Sequence, residues 1–379
     1  MIKKILISLI GQLLFSGFVC AGVTAIPAPP GIKASAYLLQ DFDSGKILAS
    51  RNIDQKISPA SLTKMMTVHV VANELESGRV TLDDEVLVSK KAWKTPGSRM
   101  FIEVNKKVSV GDLLKGVIIQ SGNDASVALA EHISGSEDVF AELMNQYATK
   151  LGMTNSHFIN STGLPDEQHY TTAKDMAILA DALIRDTPEI YALHSVKEFT
   201  FNKITQQNRN KLLWRDPDVD GIKTGHTEAA GFCLVASAKK ENMRLISVVM
   251  GAGSEGARAK ATQSLLAYGF RFYETQRLYG ANENITSVKI WKGDTEELVL
   301  GLDADLYVTF PRGQKNQLKT KLNLSEKYIA PVNRGKISGN LTITLADEDI
   351  ADAKLIALQS VNEGSVIVRL KDNFLLLFE

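Results

Sequence analysis

The segment ISPASLTKMMTVHVV, residues 57–71, decides the fold, because it joins a helix start to an apolar helix that carries two polar groups. Ser58 is typical of an N-cap, and Pro59 suits the first helical position, where its missing N–H costs nothing. Ser61 and Lys64 lie three residues apart, so their side chains leave the same face. A hydroxyl and an ammonium at the mouth of a helix that is otherwise apolar indicate a candidate reactive site.

The composition favours a globular protein with more than one domain. The chain has 379 residues, 44% of them hydrophobic, and 43 basic residues balance 43 acidic ones. A chain of this length and hydrophobicity buries a substantial core and is long enough for two domains. The zero net charge argues against a nucleic-acid partner.

The first 25 residues are predicted to be an export signal. They combine two lysines within the first four positions, an apolar stretch and small residues near the end. Cys20 is preceded by a sequence that matches lipoprotein sites poorly, so lipidation is not favoured. Removal of this segment leaves Cys233 as the only thiol, and no intramolecular disulfide can then form.

Residues 26–280 are predicted to form a first domain in which strands flank a cluster of helices. Alternating apolar runs on both sides of Asp43-Ser44-Gly45 indicate a β-hairpin, and helical spacing dominates from 81 to about 182. Strand patterns return before a last helix at about 256–276. Because the strands lie at both ends of this region, the first hairpin should join the late strands in one antiparallel sheet. The late strand patterns cover residues 219–225, 231–239 and 243–252.

The remaining sequence predicts a second, smaller domain and a distinct tail. Short alternating runs across residues 281–362 are typical of an all-β, sandwich-like domain. Residues 363–379 place Val366, Leu370 and Phe374 near helical spacing, which predicts an amphipathic helix on a membrane surface. The alternative is a last strand followed by an apolar tail packed on the β domain.

Two further motifs turn the Ser61 and Lys64 pair into a candidate site. Ser121-Gly122-Asn123 lies between two helical runs, and Lys223-Thr224-Gly225 lies on a predicted strand. Each motif alone is weak, since Ser-Gly-Asn is a common turn and Lys-Thr-Gly an ordinary strand end. Their order along the chain, on a helix start, an inter-helix loop and a strand, makes a chance combination improbable.

With these motifs the sequence resembles the penicillin-binding protein and serine β-lactamase superfamily. Within it, the sequence is most similar to the low-molecular-mass D-alanyl-D-alanine carboxypeptidases. The resemblance extends over nearly the whole chain and implies an α+β (α/β) transpeptidase fold, with an antiparallel sheet and a helical cluster, followed by a small C-terminal all-β domain. The resemblance rests on the segments DFDSGKILA, PASLTKMMT, IQSGNDASVALAEHI, NRNKLLW and VDGIKTGHT.

The residue types predict a nucleophile with a lysine base. A serine hydroxyl needs a base to remove its proton, and Lys64 lies one turn from Ser61. Lysine acts as a base only if burial or a nearby cation such as Lys223 favours its neutral form. Ser121 is a candidate proton relay to the leaving amine. Asn123 is a candidate to hold both Lys64 and the amide of the substrate.

Substrate recognition is assigned to the strand motif. The N–H of Ser61 is one half of a predicted oxyanion hole, and the resemblance assigns the other half to the N–H of His226. Gly225 lets an extended peptide lie along the strand edge, while Lys223 and Thr224 recognise a terminal carboxylate. The resemblance adds Arg258 as a second carboxylate anchor.

The remaining charged and aromatic groups are assigned structural roles. Arg209 and Asp175 are predicted to form a structural salt bridge near the site. The side chain of His226 is secondary, and His69 and His132 are interpreted as packing residues within helices.

The resemblance implies a serine-type carboxypeptidase that removes the last D-alanine from peptidoglycan pentapeptides through an acyl-enzyme on Ser61. The expected partners are this substrate and β-lactam antibiotics as covalent inhibitors. No cofactor or metal is expected. The protein is expected in the periplasm, attached to the outer face of the inner membrane by its tail, with a role in cell-wall maturation and cell shape.

Three alternatives stay open at this point. A β-lactamase would need a fast deacylating base, and the Glu-x-x-Leu-Asn loop of class A enzymes is absent between residues 123 and 223. A D,D-endopeptidase would need a more open carboxylate end. A non-catalytic cell-wall scaffold would retain the same fold without turnover.

Two other motif matches are rejected. Gly251-x-Gly253-x-x-Gly256 formally matches a dinucleotide fingerprint, and the same segment approaches a nucleophile elbow around Ser254. Both motifs require a parallel sheet that continues beyond this point. The sequence instead predicts antiparallel strands before the segment and an all-β region after it.

Overall fold

A computed structural model describes residues 26–378. The predicted export signal at 1–25, with the lipidation question at Cys20, lies outside the described residues. The fold class is as predicted: an antiparallel sheet with a helical cluster, followed by a C-terminal all-β region.

The first sheet has five strands in the order β2-β1-β9-β8-β7, all antiparallel. The predicted hairpin joins the late strands, because β1 pairs with β2 on one side and with β9 on the other. A tight turn, in which the N–H of Gly45 donates to the carbonyl of Asp41 at 3.0 Å, connects β1 to β2. The strands are β1 (Ala36–Asp41), β2 (Ile47–Arg51), β7 (Val219–Thr227), β8 (Gly231–Lys240) and β9 (Met243–Ala252).

Helices cover both faces of this sheet. One apolar core lies between the sheet and helices α1 to α6, and a second lies between the sheet and α9. The helices of this region are α1 (Thr63–Glu76), α2 (Lys90–Lys94), α3 (Val110–Lys115), α4 (Asn123–Ser134), α5 (Glu137–Leu151), α6 (Ala173–Asp186), α7 (Pro188–Tyr191), α8 (Leu212–Arg215) and α9 (Glu255–Phe272). Two small hairpins accompany them, β3 (Glu85–Leu87) with β4 (Lys107–Ser109) and β5 (Glu198–Phe201) with β6 (Ile204–Gln207).

The start of the first helix differs from the prediction. Ser58 is not the N-cap: a 3₁₀ turn at Ala60–Leu62 precedes α1, and the α-helix begins only at Thr63. The N–H of Leu62 donates to the carbonyl of Pro59 at 3.1 Å, so backbone bonding replaces a side-chain cap. Such a tight turn in front of an α-helix is a common alternative to a cap.

The segment between β9 and α9 confirms the rejection of the two unrelated motifs. Ser254 is the N-cap of α9, and its Oγ accepts a hydrogen bond from the N–H of Ala257 at 3.1 Å. Because β9 pairs antiparallel with both of its neighbours, the sheet lacks the parallel crossover that a dinucleotide fold or a nucleophile elbow requires.

The C-terminal region contains only strands and short turns up to its last helix. The prediction of a helix to residue 276 is wrong, because α9 ends at Phe272 and β10 begins at once. Strand β10 pairs with β13, and a separate six-stranded sheet has the order β14-β16-β17-β12-β11-β15. The strands are β10 (Tyr273–Tyr279), β11 (Thr286–Trp291), β12 (Glu297–Gly301), β13 (Leu306–Pro311), β14 (Leu318–Leu324), β15 (Tyr328–Ile329), β16 (Ile337–Leu345) and β17 (Glu348–Ala357).

The tail is a helix, α10 (Val366–Leu375), which excludes the alternative of a last strand. Its contact with the β region is polar, since Asp372 Oδ2 accepts a hydrogen bond from the N–H of Lys292 at 2.5 Å. Its apolar side chains point outward, and Ile367 and Leu377 are each 79% exposed. No helix within residues 26–378 is long and apolar enough to cross a bilayer.

A buried carboxylate joins the first sheet to the C-terminal region. Asp41 is fully buried, and its Oδ1 accepts hydrogen bonds from the N–H and the Oγ of Ser44 at 2.8 and 2.7 Å. Its Oδ2 accepts from Thr275 Oγ1 at 2.7 Å, and Thr275 in turn contacts Thr309. A buried charge is tolerated only where such partners replace water, so this network fixes β10 and β13 against the first hairpin.

The Asp41 network predicts a measurable loss of stability when the carboxylate is removed. Asp41→Ala removes the acceptor of the buried Thr275 hydroxyl and of the half-buried Ser44 N–H and hydroxyl. We expect the free energy of unfolding to fall by about 2–3 kcal/mol, measured by urea denaturation with tryptophan fluorescence. The exposed Asp54→Ala is the matched control and should be neutral; equal stability of the two variants would contradict this role of Asp41.

Candidate active site

Ser61 lies in the 3₁₀ turn that introduces α1, immediately after a strained residue. Ala60 has a φ of +48°, in the left-handed region that non-glycine residues rarely adopt. The turn keeps the predicted spacing, because the Nζ of Lys64 lies 3.3 Å from the Oγ of Ser61. The two predicted residues therefore meet, although the backbone between them is not the α-helix that the sequence indicated.

Lys64 is fully buried and held by two acceptors that cannot donate a proton. Its Nζ donates to Asn123 Oδ1 at 2.7 Å and to the carbonyl of Thr162 at 2.6 Å. Burial, and after it the positive charge of Arg209, lowers the pKa of Lys64 to about 7. A large fraction of this amine is therefore neutral near neutral pH, as a general base requires.

The Ser-Gly-Asn motif connects the two helical runs, as predicted. Ser121 adopts a φ of +66° at the end of the π-helical segment Gly116–Gln120, and α4 begins at Asn123. The Nδ2 of Asn123 donates to the carbonyl of Pro96 at 2.6 Å, and this contact orients the amide so that its oxygen faces Lys64. The Oγ of Ser121 accepts a hydrogen bond from Lys223 Nζ at 2.9 Å.

The Lys-Thr-Gly motif lies on β7, the outer strand of the first sheet. A side chain at Gly225 would place its Cβ 3.1 Å from the carbonyl oxygen of Pro59 and 3.2 Å from the nitrogen of Leu62, so any other residue would crowd the backbone of the Ser61 turn. Lys223 is buried on the same strand. Burial, and then repulsion from Lys64, Arg209 and Arg258, lowers its pKa well below the usual range.

Arg258 approaches β7 from α9. Its Nη1 donates to the carbonyl of Gly225 at 3.1 Å, and its guanidinium lies 5.7 Å from the ring centroid of Phe232. Together with Ser61, Ser121 and Thr224 it lines a cleft of about 520 Å³. All nine predicted site residues are thus brought together around one cleft, and its lining also includes Arg209 and Lys211.

The histidines have varied environments. The His226 side chain is exposed and stacked on Phe232, with ring centroids 3.9 Å apart. Burial lowers the pKa of His69 to about 4, which fits a packing residue. The same interpretation is wrong for His132, which is exposed on α4.

The predicted salt bridge between Arg209 and Asp175 is wrong. The Nε of Arg209 donates to the carbonyl of Gln120 at 3.0 Å, and the guanidinium lines the cleft. Asp175 is buried elsewhere, where its Oδ2 accepts from the N–H of Asn155 and the Oγ of Ser156 at 2.9 and 2.6 Å. The sequence predicted a structural salt bridge for Arg209. In the structure, its positive charge instead lowers the pKa of Lys64.

A loop that the sequence analysis missed completes the surroundings of Lys64. Residues 160–164 supply the Thr162 carbonyl, and Gly163 has a φ of +84°. A Cβ on Gly163 would lie 1.8 Å from the carbonyl oxygen of Ala60, so the loop needs glycine to reach the Ser61 turn. Thr162 and Gly163 do not belong to a recognised motif. A backbone carbonyl is present in every residue, so the sequence does not show which one binds Lys64.

The cleft is lined by hydroxyl, amide and guanidinium groups together with the imidazole of His226 and the carboxylate of Glu255. Within residues 26–378, no group of three or more His, Cys, Asp or Glu side chains is placed to hold a metal ion. The described site thus supports nucleophilic chemistry with a lysine base, next to a binding surface for an anion.

Comparisons with known proteins agree with this geometry. The D-alanyl-D-alanine carboxypeptidase family profile matches residues 23–254, and that of the penicillin-binding protein 5 C-terminal domain matches residues 273–363. The D-alanyl-D-alanine carboxypeptidase DacC of Escherichia coli K12 is 46% identical over 357 residues, covering 92% of this chain and 89% of its own length.

Solved structures give the same result. Penicillin-binding protein 5 from Haemophilus influenzae superposes with a TM-score of 0.87 at 44% identity, covering 89% of this chain and 100% of that one. Penicillin-binding protein D2 from Listeria monocytogenes in its ampicillin-bound form covers 64% of this chain and 100% of that one, with a TM-score of 0.59 at 29% identity. The chain therefore belongs to the D-alanyl-D-alanine carboxypeptidase family of serine peptidases.

Proposed function

We propose that this protein is a serine-type D-alanyl-D-alanine carboxypeptidase that removes the terminal D-alanine of peptidoglycan pentapeptides and thereby acts in cell-wall maturation and cell shape. The observation that carries the proposal is the buried Lys64 amine, 3.3 Å from the Oγ of Ser61 and beside the open edge of β7. Membership of the family supports the reaction, and the geometry supports the assignment of residues.

In the acylation step, the neutral amine of Lys64 takes the proton of Ser61. The Oγ then attacks the carbonyl carbon of the last peptide bond, and the N–H groups of Ser61 and His226 stabilise the oxyanion. The C–N bond breaks, and Ser121 gives its hydroxyl proton to the amine of the departing D-alanine while it takes up the proton that Lys64 received from Ser61, so the Lys64 amine is neutral again. The products are free D-alanine and an ester on Ser61.

In the deacylation step, water attacks this ester. Lys64 again accepts a proton, this time from the water, and returns it to the Oγ of Ser61 as the ester bond breaks. Asn123 holds the Lys64 amine during both steps through its 2.7 Å contact.

The substrate is proposed to bind as an added strand on β7. An extended peptide at this edge forms backbone hydrogen bonds, and the close packing of Gly225 against the Ser61 turn holds the scissile bond near the Oγ. Its terminal carboxylate meets Lys223, Thr224 and Arg258. This cation-rich end favours a free carboxylate over the uncharged amide of a cross-link, which argues for the carboxypeptidase over the endopeptidase.

β-Lactams are proposed as covalent inhibitors of the same site. They present a carbonyl and a carboxylate at spacings that mimic the peptide end, so Ser61 is the residue they acylate. The ampicillin-bound form of the similar Listeria protein supports this proposal.

The protein is proposed to act in the periplasm, attached to the outer face of the inner membrane. The export-signal pattern of residues 1–25 and the family support export. The outward apolar face of α10 supports peripheral attachment, because an amphipathic helix lies in the interface with its apolar side in the lipid.

Removal of the nucleophile tests the reaction directly. Wild-type protein should release D-alanine from an N-acylated peptide ending in D-Ala-D-Ala and should form a covalent adduct with fluorescent penicillin. Ser61→Ala should abolish both, because it removes the hydroxyl that lies 3.3 Å from the Lys64 amine. The exposed Ser50→Ala serves as the control and should retain both activities; peptide hydrolysis by Ser61→Ala at the wild-type rate would disprove the mechanism.

The pKa of Lys64 predicts the pH dependence of acylation. Since only the neutral amine accepts the Ser61 proton, the acylation rate should rise with pH through an apparent pKa near 7. Arg209→Gln removes a positive charge that disfavours the ammonium, so the pKa of Lys64 should rise and the acid limb should move to higher pH. Stopped-flow acylation by penicillin measures this shift.

The control for this profile is the exposed Arg51→Gln, which changes the same charge outside the cleft. It should leave the acid limb at its original position. An Arg209→Gln profile that coincides with that of Arg51→Gln would remove Arg209 from the account of Lys64.

The proposed membrane contact predicts binding to lipid vesicles through α10. The full chain should co-sediment with vesicles of phosphatidylethanolamine and phosphatidylglycerol, and Leu370→Asn with Phe374→Asn should abolish this binding while keeping the Asp372 contact. The matched control is Leu322→Asn with Leu324→Asn, which removes exposed apolar groups from β14. Equal binding by the two double variants would contradict the anchor.

A further inference from the structure

The Glu137 carboxylate forms hydrogen bonds that hold the 160–164 loop in place. Glu137 is the first residue of α5, and its side chain is 11% exposed. It has no part in the reaction steps proposed above. Its contacts nevertheless reach, through two neighbouring residues, the carbonyl that binds Lys64.

Both oxygens of Glu137 are occupied. Oε1 accepts hydrogen bonds from the N–H and from the Oγ of Ser161, at 3.1 and 2.8 Å. Oε2 forms an ion pair with Lys91 Nζ at 3.0 Å. The carboxylate therefore joins α5, the loop and α2 at one point, and its two short bonds to Ser161 are of the stronger, charge-assisted kind.

The opposite side of Ser161 is fixed as well. Its carbonyl accepts hydrogen bonds from Thr67 Oγ1 at 2.7 Å and from Ser126 Oγ at 2.9 Å. Ser161 itself is fully buried. Side chains of α1 and α4 thus hold the carbonyl of Ser161, and Glu137 holds its N–H and its hydroxyl. Little rotation of the backbone at Ser161 is then possible.

The next carbonyl along the chain is the one that accepts a hydrogen bond from Lys64, at 2.6 Å. A rotation at Ser161 would carry the Thr162 carbonyl away from the amine. Lys64 would then lose one of its two acceptors, and its distance to the Oγ of Ser61 would no longer be fixed. Displacements of about 1 Å in a reacting group change rates by up to about a hundredfold.

We propose that Glu137 is a positioning residue for acylation: its carboxylate fixes Ser161 so that the Thr162 carbonyl holds the Lys64 amine within reach of Ser61. This inference rests on the proposed function, because it assigns Lys64 as the base. Lys91, whose side chain is 53% exposed, has a lesser part, since partly exposed ion pairs contribute little.

Glu137 also acts on Lys64 through its charge. The titratable and charged groups that face Lys64 are Arg209 from the segment before α8, Asp124 from α4, Glu137 from α5, His169 from the segment before α6 and Lys223 from β7. The negative charge of Glu137 favours the ammonium form. Its removal should therefore lower the pKa of Lys64 and move the acid limb of acylation to lower pH.

The test compares Glu137→Ala and Glu137→Gln in the full chain by stopped-flow acylation with fluorescent penicillin. Glu137→Ala should reduce the limiting acylation rate by about tenfold to a hundredfold, with the dissociation constant of the non-covalent complex within about twofold. Glu137→Gln keeps an oxygen that accepts from Ser161, so it should restore most of the rate. It should still show the acid limb at lower pH, which a merely structural side chain would not change.

The matched controls are Glu142→Ala and Glu142→Gln, which alter an exposed glutamate on the same helix. Both should retain the wild-type rate and pH profile. If Glu137→Ala fails to fold, Ser161→Ala, which removes the shorter of the two hydrogen bonds to Glu137, takes its place, and a wild-type limiting rate in that variant overturns the proposal. A folded Glu137→Ala with the wild-type limiting rate also overturns it.

The two levels of the proposal fail in different ways. If the wild-type chain forms no Ser61-dependent adduct, the proposed function is wrong. If the wild-type adduct forms normally and the Glu137 variants behave like those of Glu142, only the positioning role is wrong.

Discussion

The burial of one lysine amine is the constraint on which the site depends. Lys64 is fully buried, and an amine in that position is tolerated because Asn123 Oδ1 and the Thr162 carbonyl replace the water it loses. These acceptors come from α4 and from the 160–164 loop, whereas Ser61 comes from the turn before α1. Three separate segments must therefore pack correctly before the amine has its partners. The active site is formed only when the helical cluster is packed.

The sheet supplies the second half of the site through its topology. Because β7 is the outer strand, one of its edges has no strand partner within residues 26–378, and Gly225 lets β7 lie against the Ser61 turn. An exposed strand edge invites unwanted pairing. Such pairing is disfavoured at this edge. The Ser61 turn and α9 flank it, and the buried side chains of Lys223 and Arg258 lie beside it.

The sequence predicted what residue types and periodicity encode. The sequence patterns placed Ser121 and Lys223 on the correct elements, and the spacing of Ser61 and Lys64 predicted that they meet, because local spacing determines which face a side chain occupies. The helix start was misplaced, since a 3₁₀ turn and a capped helix share the same residues at Ser58 and Pro59. The contribution of Thr162 was missed because any residue has a carbonyl. Arg209 was assigned to the wrong partner because an exposed arginine can reach several groups, and only the fold decides among them.

The donors and the lone pair of the Lys64 amine explain why its partners are the Asn123 oxygen and the Thr162 carbonyl. A neutral amine has two N–H donors and one lone pair. The Thr162 carbonyl and the Asn123 oxygen can only accept, and the Pro96 carbonyl holds the Asn123 amide in the orientation that presents its oxygen. When both N–H groups are engaged, the lone pair is left for the third neighbour, the hydroxyl of Ser61. A donor in place of either acceptor would turn the lone pair away from Ser61, so the site requires acceptors here as strictly as it requires the lysine.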